Sequence, residues 1–168
     1  MRPKLVFITG APGVGKNTVA RLVFARLDGC AWLDGDDVWR MNPFVVDDRT
    51  IRIVEANITF VLRSYLAAGF RHVIFTWVLH RQDIIDRLVA GLEGLEHDLS
   101  IFTLVCDEAT LAERRGRRNP GDAQRVGLAF ERLRQSRELA TPKIDTTGRT
   151  PEEAAEEILA ALAADDGA

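Results

Sequence analysis

The stretch from Lys4 to Leu27 constrains this chain more than any other part of it. The strand-like run Leu5-Val6-Phe7-Ile8 leads into Gly10-Ala11-Pro12-Gly13-Val14-Gly15-Lys16-Asn17-Thr18, and a helix-patterned run from Val19 to Leu27 follows. Gly10, four variable residues, Gly15 and Lys16, set between a strand and a helix, satisfy the pattern of a phosphate-binding loop. A triphosphate packs several negative charges within a few ångströms, so it needs many donors at close range. Glycines at 10, 13 and 15 let the backbone curl and turn its N–H groups inward. The helix starting near Gly15 adds its own unpaired N–H groups and the positive end of its dipole. Lys16 is then placed to reach the β- and γ-phosphates.

The lysine itself is informative. The chain has only Lys4, Lys16 and Lys143 among its 22 basic residues, and one of them stands where the motif requires it. A glycine-rich turn that binds nothing would not need it. Asn17 is the departure, because Ser or Thr at that position normally gives a hydroxyl to Mg²⁺. Three readings stay open: the amide oxygen of Asn17 ligates the ion, water replaces it, or nucleotide is bound with little turnover. Thr18 does not substitute, since one residue along a helix rotates the side chain by about 100°.

At 168 residues with 46% apolar content, the chain is expected to form one domain over 1–168 with a sizeable core. A net charge of −3 argues against a dedicated nucleic-acid surface. Cys30 and Cys106 lie in apolar runs without metal or disulfide spacing and read as buried thiols. No leader-like segment and no long apolar run is evident, so a soluble, cytoplasmic protein is expected, with no membrane partner.

Strand patterns at 4–9, 31–34, 72–77, 99–105 and 142–145 alternate with helix patterns at 15–27, 50–68, 82–91, 108–115, 123–139 and 151–164. That order predicts a three-layer α/β/α fold with a five-stranded parallel sheet. Thr150, Pro151 and Glu153 mark the start of the last helix as a capping box, and Asp107 is expected to cap the helix at Glu108. Ligands in such sheets sit beyond the carboxyl ends of the strands. This selects residues 10–18, 34–40, 76–80, Asp107 and 146–149.

After the second strand, which is expected beside the phosphate loop, the chain reads Asp34-Gly35-Asp36-Asp37-Val38-Trp39-Arg40. Two carboxylates separated by glycine can enter one cleft, one supporting a magnesium ion and one accepting a proton from an attacking hydroxyl. A helix cap is the plainer alternative. Around them, Trp39, Arg40, Trp77 and His80 are candidates to line a pocket for a flat or anionic acceptor.

The phosphate loop, the Asp-Gly-Asp after strand two and the arginine-rich segment after strand four together resemble the adenylate-kinase-like small P-loop kinases. Leu33 to Val38 with Arg40 is similar to adenylylsulfate kinase, and the Asp-x-Asp pattern to shikimate kinase and chloramphenicol phosphotransferase. The resemblance implies that Asp34 supports the metal and that Asp36 contacts the acceptor as base. It implies that Arg114 and Arg118, in Leu111-Ala112-Glu113-Arg114-Arg115-Gly116-Arg117-Arg118, serve adenine and the transferring phosphate from a short lid near 115–123. Without cysteines, that lid holds no zinc. Arg125 and Arg132 are weaker candidates from the next helix. The resemblance also implies adenine contact by Thr147 and Gly148. Strand three ends in Phe75-Thr76-Trp77 without an acidic residue, which shifts metal handling toward Asp34.

The expected activity is ATP- and Mg²⁺-dependent transfer of the γ-phosphate to a small-molecule hydroxyl, of a nucleoside, nucleotide-like or antibiotic-like compound. The competing readings are an ATP-binding regulatory protein with little turnover and a polynucleotide 5′-hydroxyl kinase; the acidic balance counts against the latter. The sequence assigns neither acceptor nor oligomeric state.

Overall fold

The computed structural model describes residues 2–118 and 123–165. Five parallel strands, β1 (Lys4–Gly10), β2 (Cys30–Asp34), β3 (His72–Thr76), β4 (Asp98–Val105) and β5 (Lys143–Asp145), form one sheet in the order β2-β3-β1-β4-β5. The helices are α1 (Lys16–Phe24), α2 (Asp48–Ala67), α3 (Gln82–Ala90), α4 (Glu108–Arg118), α5 (Ala123–Glu138) and α6 (Pro151–Asp165).

β1 is buried along its whole length because successive side chains feed two separate cores. Val6 and Ile8 pack with Val19 and Val23 of α1 and with Ile158 and Leu162 of α6. Leu5 and Phe7 face the other way, into Val54, Ile58 and Leu62 of α2 and Ile85 and Leu88 of α3. The Phe7 and Phe75 rings meet edge-on at 5.0 Å.

The expected sheet, its strand count and its helical layers are observed. The second strand differs from expectation in place: β3 separates it from β1, so β2 is an edge strand, two positions from the strand that carries the loop. Its carboxyl end nevertheless reaches the first turn of α1 through a side chain, as described below. The strands all run parallel, but the order of connection switches around β1, with β3 and β2 on one side and β4 and β5 on the other, and this switch point opens the crevice above the loop.

Local signals behave as their chemistry dictates. Asp107 accepts from the Thr110 N–H at 2.7 Å. Thr150 and Glu153 cap reciprocally, at 2.8 and 3.2 Å. A further box at the start of α2, where Asp47 and Thr50 satisfy each other's backbone N–H groups, was not anticipated. Nor was the 3₁₀ turn Gly35–Val38. Among the described residues, no helix is long and apolar enough to cross a membrane.

Candidate active site

β1 runs into the loop at the switch point, and Gly10 there has φ 138°. A Cβ on it would stand 2.3 Å from the Leu104 carbonyl oxygen, so pairing with β4 itself requires glycine at this position. The loop closes into α1 through Gly15, and no side chain caps the helix. The N–H groups of its first turn therefore point into the loop. Lys16 Nζ donates to the carbonyls of Gly10 and Ala11 at 3.0 and 3.1 Å, which holds the ammonium over the loop.

Asn17 links the loop to the second constellation. Its Nδ2 donates to Asp34 Oδ2. The other oxygen of Asp34 accepts from the Asp36 N–H at 3.1 Å and caps the 3₁₀ turn. Asp34 thus caps a turn and joins the loop to it. Its half-burial raises the carboxyl above the usual aspartate range; the hydrogen bonds from Asp36 N–H and Asn17 oppose this, and the charges of Asp36 and Asp37 add to it.

Asp36 is exposed, and its Oδ1 accepts from the Trp77 indole N–H at 3.2 Å. Gly35 makes that contact possible, since a Cβ on it would stand 2.6 Å from Trp77 Cγ. Trp77 is buried and stands 5.8 Å from Trp39, whose ring is 5.7 Å from that of Phe44. The Trp39 indole nitrogen is buried without a hydrogen-bond partner. Thr9, at the end of β1, fixes the chain beyond β3: its hydroxyl accepts from Leu79 N–H at 2.8 Å and lies 3.1 Å from the carbonyls of Trp77 and Leu79.

His80 is half-buried, with Nδ1 3.1 Å from the Val78 carbonyl. Burial lowers its pKa, and the charges of Arg132 and Arg81 work in the same direction. Its ring is therefore neutral near pH 7, with Nδ1 donating to the carbonyl and Nε2 left as an acceptor. Arg40 extends into solvent and pairs with Asp37 at 2.6 Å.

On the α4 side of the loop, Arg114 holds two loops together. Nη1 donates to the Val14 carbonyl at 3.1 Å and to Thr146 Oγ1 at 2.9 Å, and Nη2 to the Thr146 carbonyl at 2.9 Å. Beside this strap lies a cavity of about 350 Å³, lined by Gly13, Val14, Gly15, Thr18 and Val19 of the loop and α1, by Arg114 and Arg117 of α4, and by Thr146, Arg149, Thr150 and Pro151. Thr147 and Gly148 do not line it. Thr147 instead accepts from the Asp107 N–H at 2.8 Å. Arg149 falls in the strand-end segment 146–149 that the sheet rule selects, whereas Arg117 escapes motif reasoning, because no spacing rule separates it from the other arginines of α4. Arg118 ends α4, but its side chain lies outside the described residues, as do positions 119–122 of the expected lid.

A family described as an AAA domain matches residues 5–142. The chain belongs to that family. This AAA-domain chain has the fold of small P-loop kinases. It is similar to the tunicamycin resistance protein of Deinococcus radiodurans, with TM-score 0.76, 25% identity and 96% of each chain covered. It also resembles a gluconokinase from Sinorhizobium meliloti, with TM-score 0.73, 22% identity and 97% and 94% coverage. Shikimate kinase from Acinetobacter baumannii superposes with TM-score 0.63 at 18% identity, covering 97% of this chain and 94% of that one. A curated relative, threonine synthase-like 1 of Macaca fascicularis, is 24% identical over 95% of this chain, which spans only 22% of that protein.

Proposed function

We propose that this AAA-domain protein is an ATP-dependent phosphotransferase that moves a γ-phosphate to a hydroxyl of a small acceptor. The Asn17–Asp34 hydrogen bond carries the reading, since it brings the Asp-Gly-Asp turn against the phosphate loop from an edge strand. The exposed carboxylate of Asp36 follows two residues later, oriented by Trp77. The loop N–H groups and Lys16 bind the phosphates of the donor. Asp36 accepts the proton of the acceptor hydroxyl, and the Trp39–Phe44–Trp77 cluster forms an aromatic wall beside it. The kinases among the similar structures support phosphoryl transfer. The tunicamycin resistance protein supports an antibiotic-like acceptor.

The donor set also fits magnesium. Asp34 contributes a carboxylate and Asn17 an amide oxygen on neighbouring side chains joined through the Asn17 Nδ2 hydrogen bond, and the described residues hold no group of three or more His, Cys, Asp or Glu that would cage an ion. Such an arrangement suits Mg²⁺, which is commonly held by one or two carboxylates together with substrate phosphates and water. The ion supplies charge neutralisation on the phosphates; Asp34 and Asn17 would hold it.

The test is ATP consumption against a panel of nucleosides, sugars, aminocyclitols and phenolic antibiotics, followed by Asp36→Asn. With the stimulating acceptor, Asp36→Asn is expected to lower turnover by about 10²–10⁴-fold while ATP binding persists. Unchanged turnover would defeat the base assignment. A second reading, nucleotide binding with little turnover, has one observation in its favour: both oxygens of Asp34 already accept hydrogen bonds from the protein. Tight Mg-ATP binding with no acceptor-stimulated turnover across the panel would establish it.

A further inference from the structure

Arg115 is the anomaly of helix α4. It lies four residues after Leu111, on the helix's buried face, and is only 8% exposed. Its stem passes against the phosphate loop: a Cβ on Gly13 would stand 2.8 Å from Arg115 Cδ, 3.1 Å from its Cγ and 3.1 Å from Leu111 Cδ1. Nε, bonded to that same Cδ, is buried without a hydrogen-bond partner. Among the described residues Arg115 forms no ion pair, in a protein where exposed arginines are extensively paired. Leaving a buried donor unsatisfied is costly, and a guanidinium stays charged whatever its surroundings.

We propose that Arg115 is a phosphate-binding residue of the donor site, a second cation beside Lys16 whose free donors are satisfied by the phosphoryl chain of the nucleotide. This rests on the reading of residues 10–18 as a phosphate loop. The role differs from that of Arg114, whose guanidinium is spent on Val14 and Thr146. Gly13 follows from the same design, because any side chain there would displace the Arg115 stem.

Calorimetric titration of the full chain with ATP, ADP and adenosine tests this. Arg115→Met, which keeps an unbranched apolar stem, is expected to weaken ATP binding by about tenfold or more. Adenosine affinity should be unchanged, and the melting temperature equal or higher because a buried unpaired donor is gone. Unchanged ATP affinity would overturn the proposal. Equal loss of ATP and adenosine would also overturn it, by showing that Arg115 only shapes the loop. If Arg115→Met does not fold, Arg115→Gln carries the same expectation and the same refutations. Lys16→Met separates the two levels: if wild type and Lys16→Met bind ATP equally, the loop reading fails, whereas loss in Lys16→Met alone refutes Arg115.

Discussion

At the scale of single residues, Asp34 sets function against stability. The folded protein holds its proton more tightly than the unfolded chain does, chiefly because the carboxyl is half-buried. Stability from this group is therefore full at acid pH and is lost as pH rises through the folded value. Asp34→Asn should melt at a higher temperature than wild type at pH 7. The gain should vanish as pH falls below the ordinary aspartate range, and turnover should drop throughout. Melting curves from pH 3 to 8 check the sign; a variant less stable at pH 7 would show that the carboxylate's hydrogen bonds outweigh its desolvation. Much of this was legible beforehand, since the motif pattern singled out both Asn17 and Asp34. Their direct hydrogen bond was not, because contacts across 17 residues depend on how helix and turn pack. Arg114 and Arg115 show the same limit. Adjacent in sequence and identical in chemistry, one straps two loops and the other lies buried, because helical rotation turns them to different faces.

At the scale of elements, the turn after β2 and the segment after β3 behave as one piece. Gly35 lies over the Trp77 ring, Trp77 holds Asp36, and Thr9 fixes the backbone beyond Trp77. Gly35→Ala forces a methyl into an aromatic face, at a cost of about 1–3 kcal/mol. It should also reduce turnover by moving Asp36, an effect that urea unfolding and kinetics with the identified acceptor would measure together. The strap after β5 makes a parallel prediction. Thr146→Val keeps the shape but removes the hydroxyl that meets Arg114 and the Val105 carbonyl, so a loss of about 1–3 kcal/mol is expected, with weaker ATP binding read by titration. Element boundaries were mostly visible in the sequence because caps are local chemistry: Asp107, Thr150 and Glu153 act within one turn. The box at Asp47 and Thr50 is equally local, and the spacing of Asp47 to Thr50 marks it in retrospect. The 3₁₀ turn was harder to see, since its four residues carry no periodic signal.

At the scale of the whole molecule, one sheet separates two cores, and β1 contributes to both. Ile158 of α6 is fully buried against the core shared with α1 and β1. Ile158→Ala should cost about 2–5 kcal/mol. If the two cores unfold together, the urea midpoint falls while the slope stays constant; a changed slope would mean that the α6 side opens separately. The amino-acid sequence alone determined the strand–loop–helix start, the alternation of elements and hence the parallel three-layer class, because burial period and turn chemistry act over a few residues. Only the tertiary structure decided that β2 lies at the sheet edge, that Asn17 meets Asp34, that Arg117 lines the cavity beside the loop and that Arg115 is buried against Gly13. Those outcomes depend on strand order and helix rotation, which follow from the packing of distant segments.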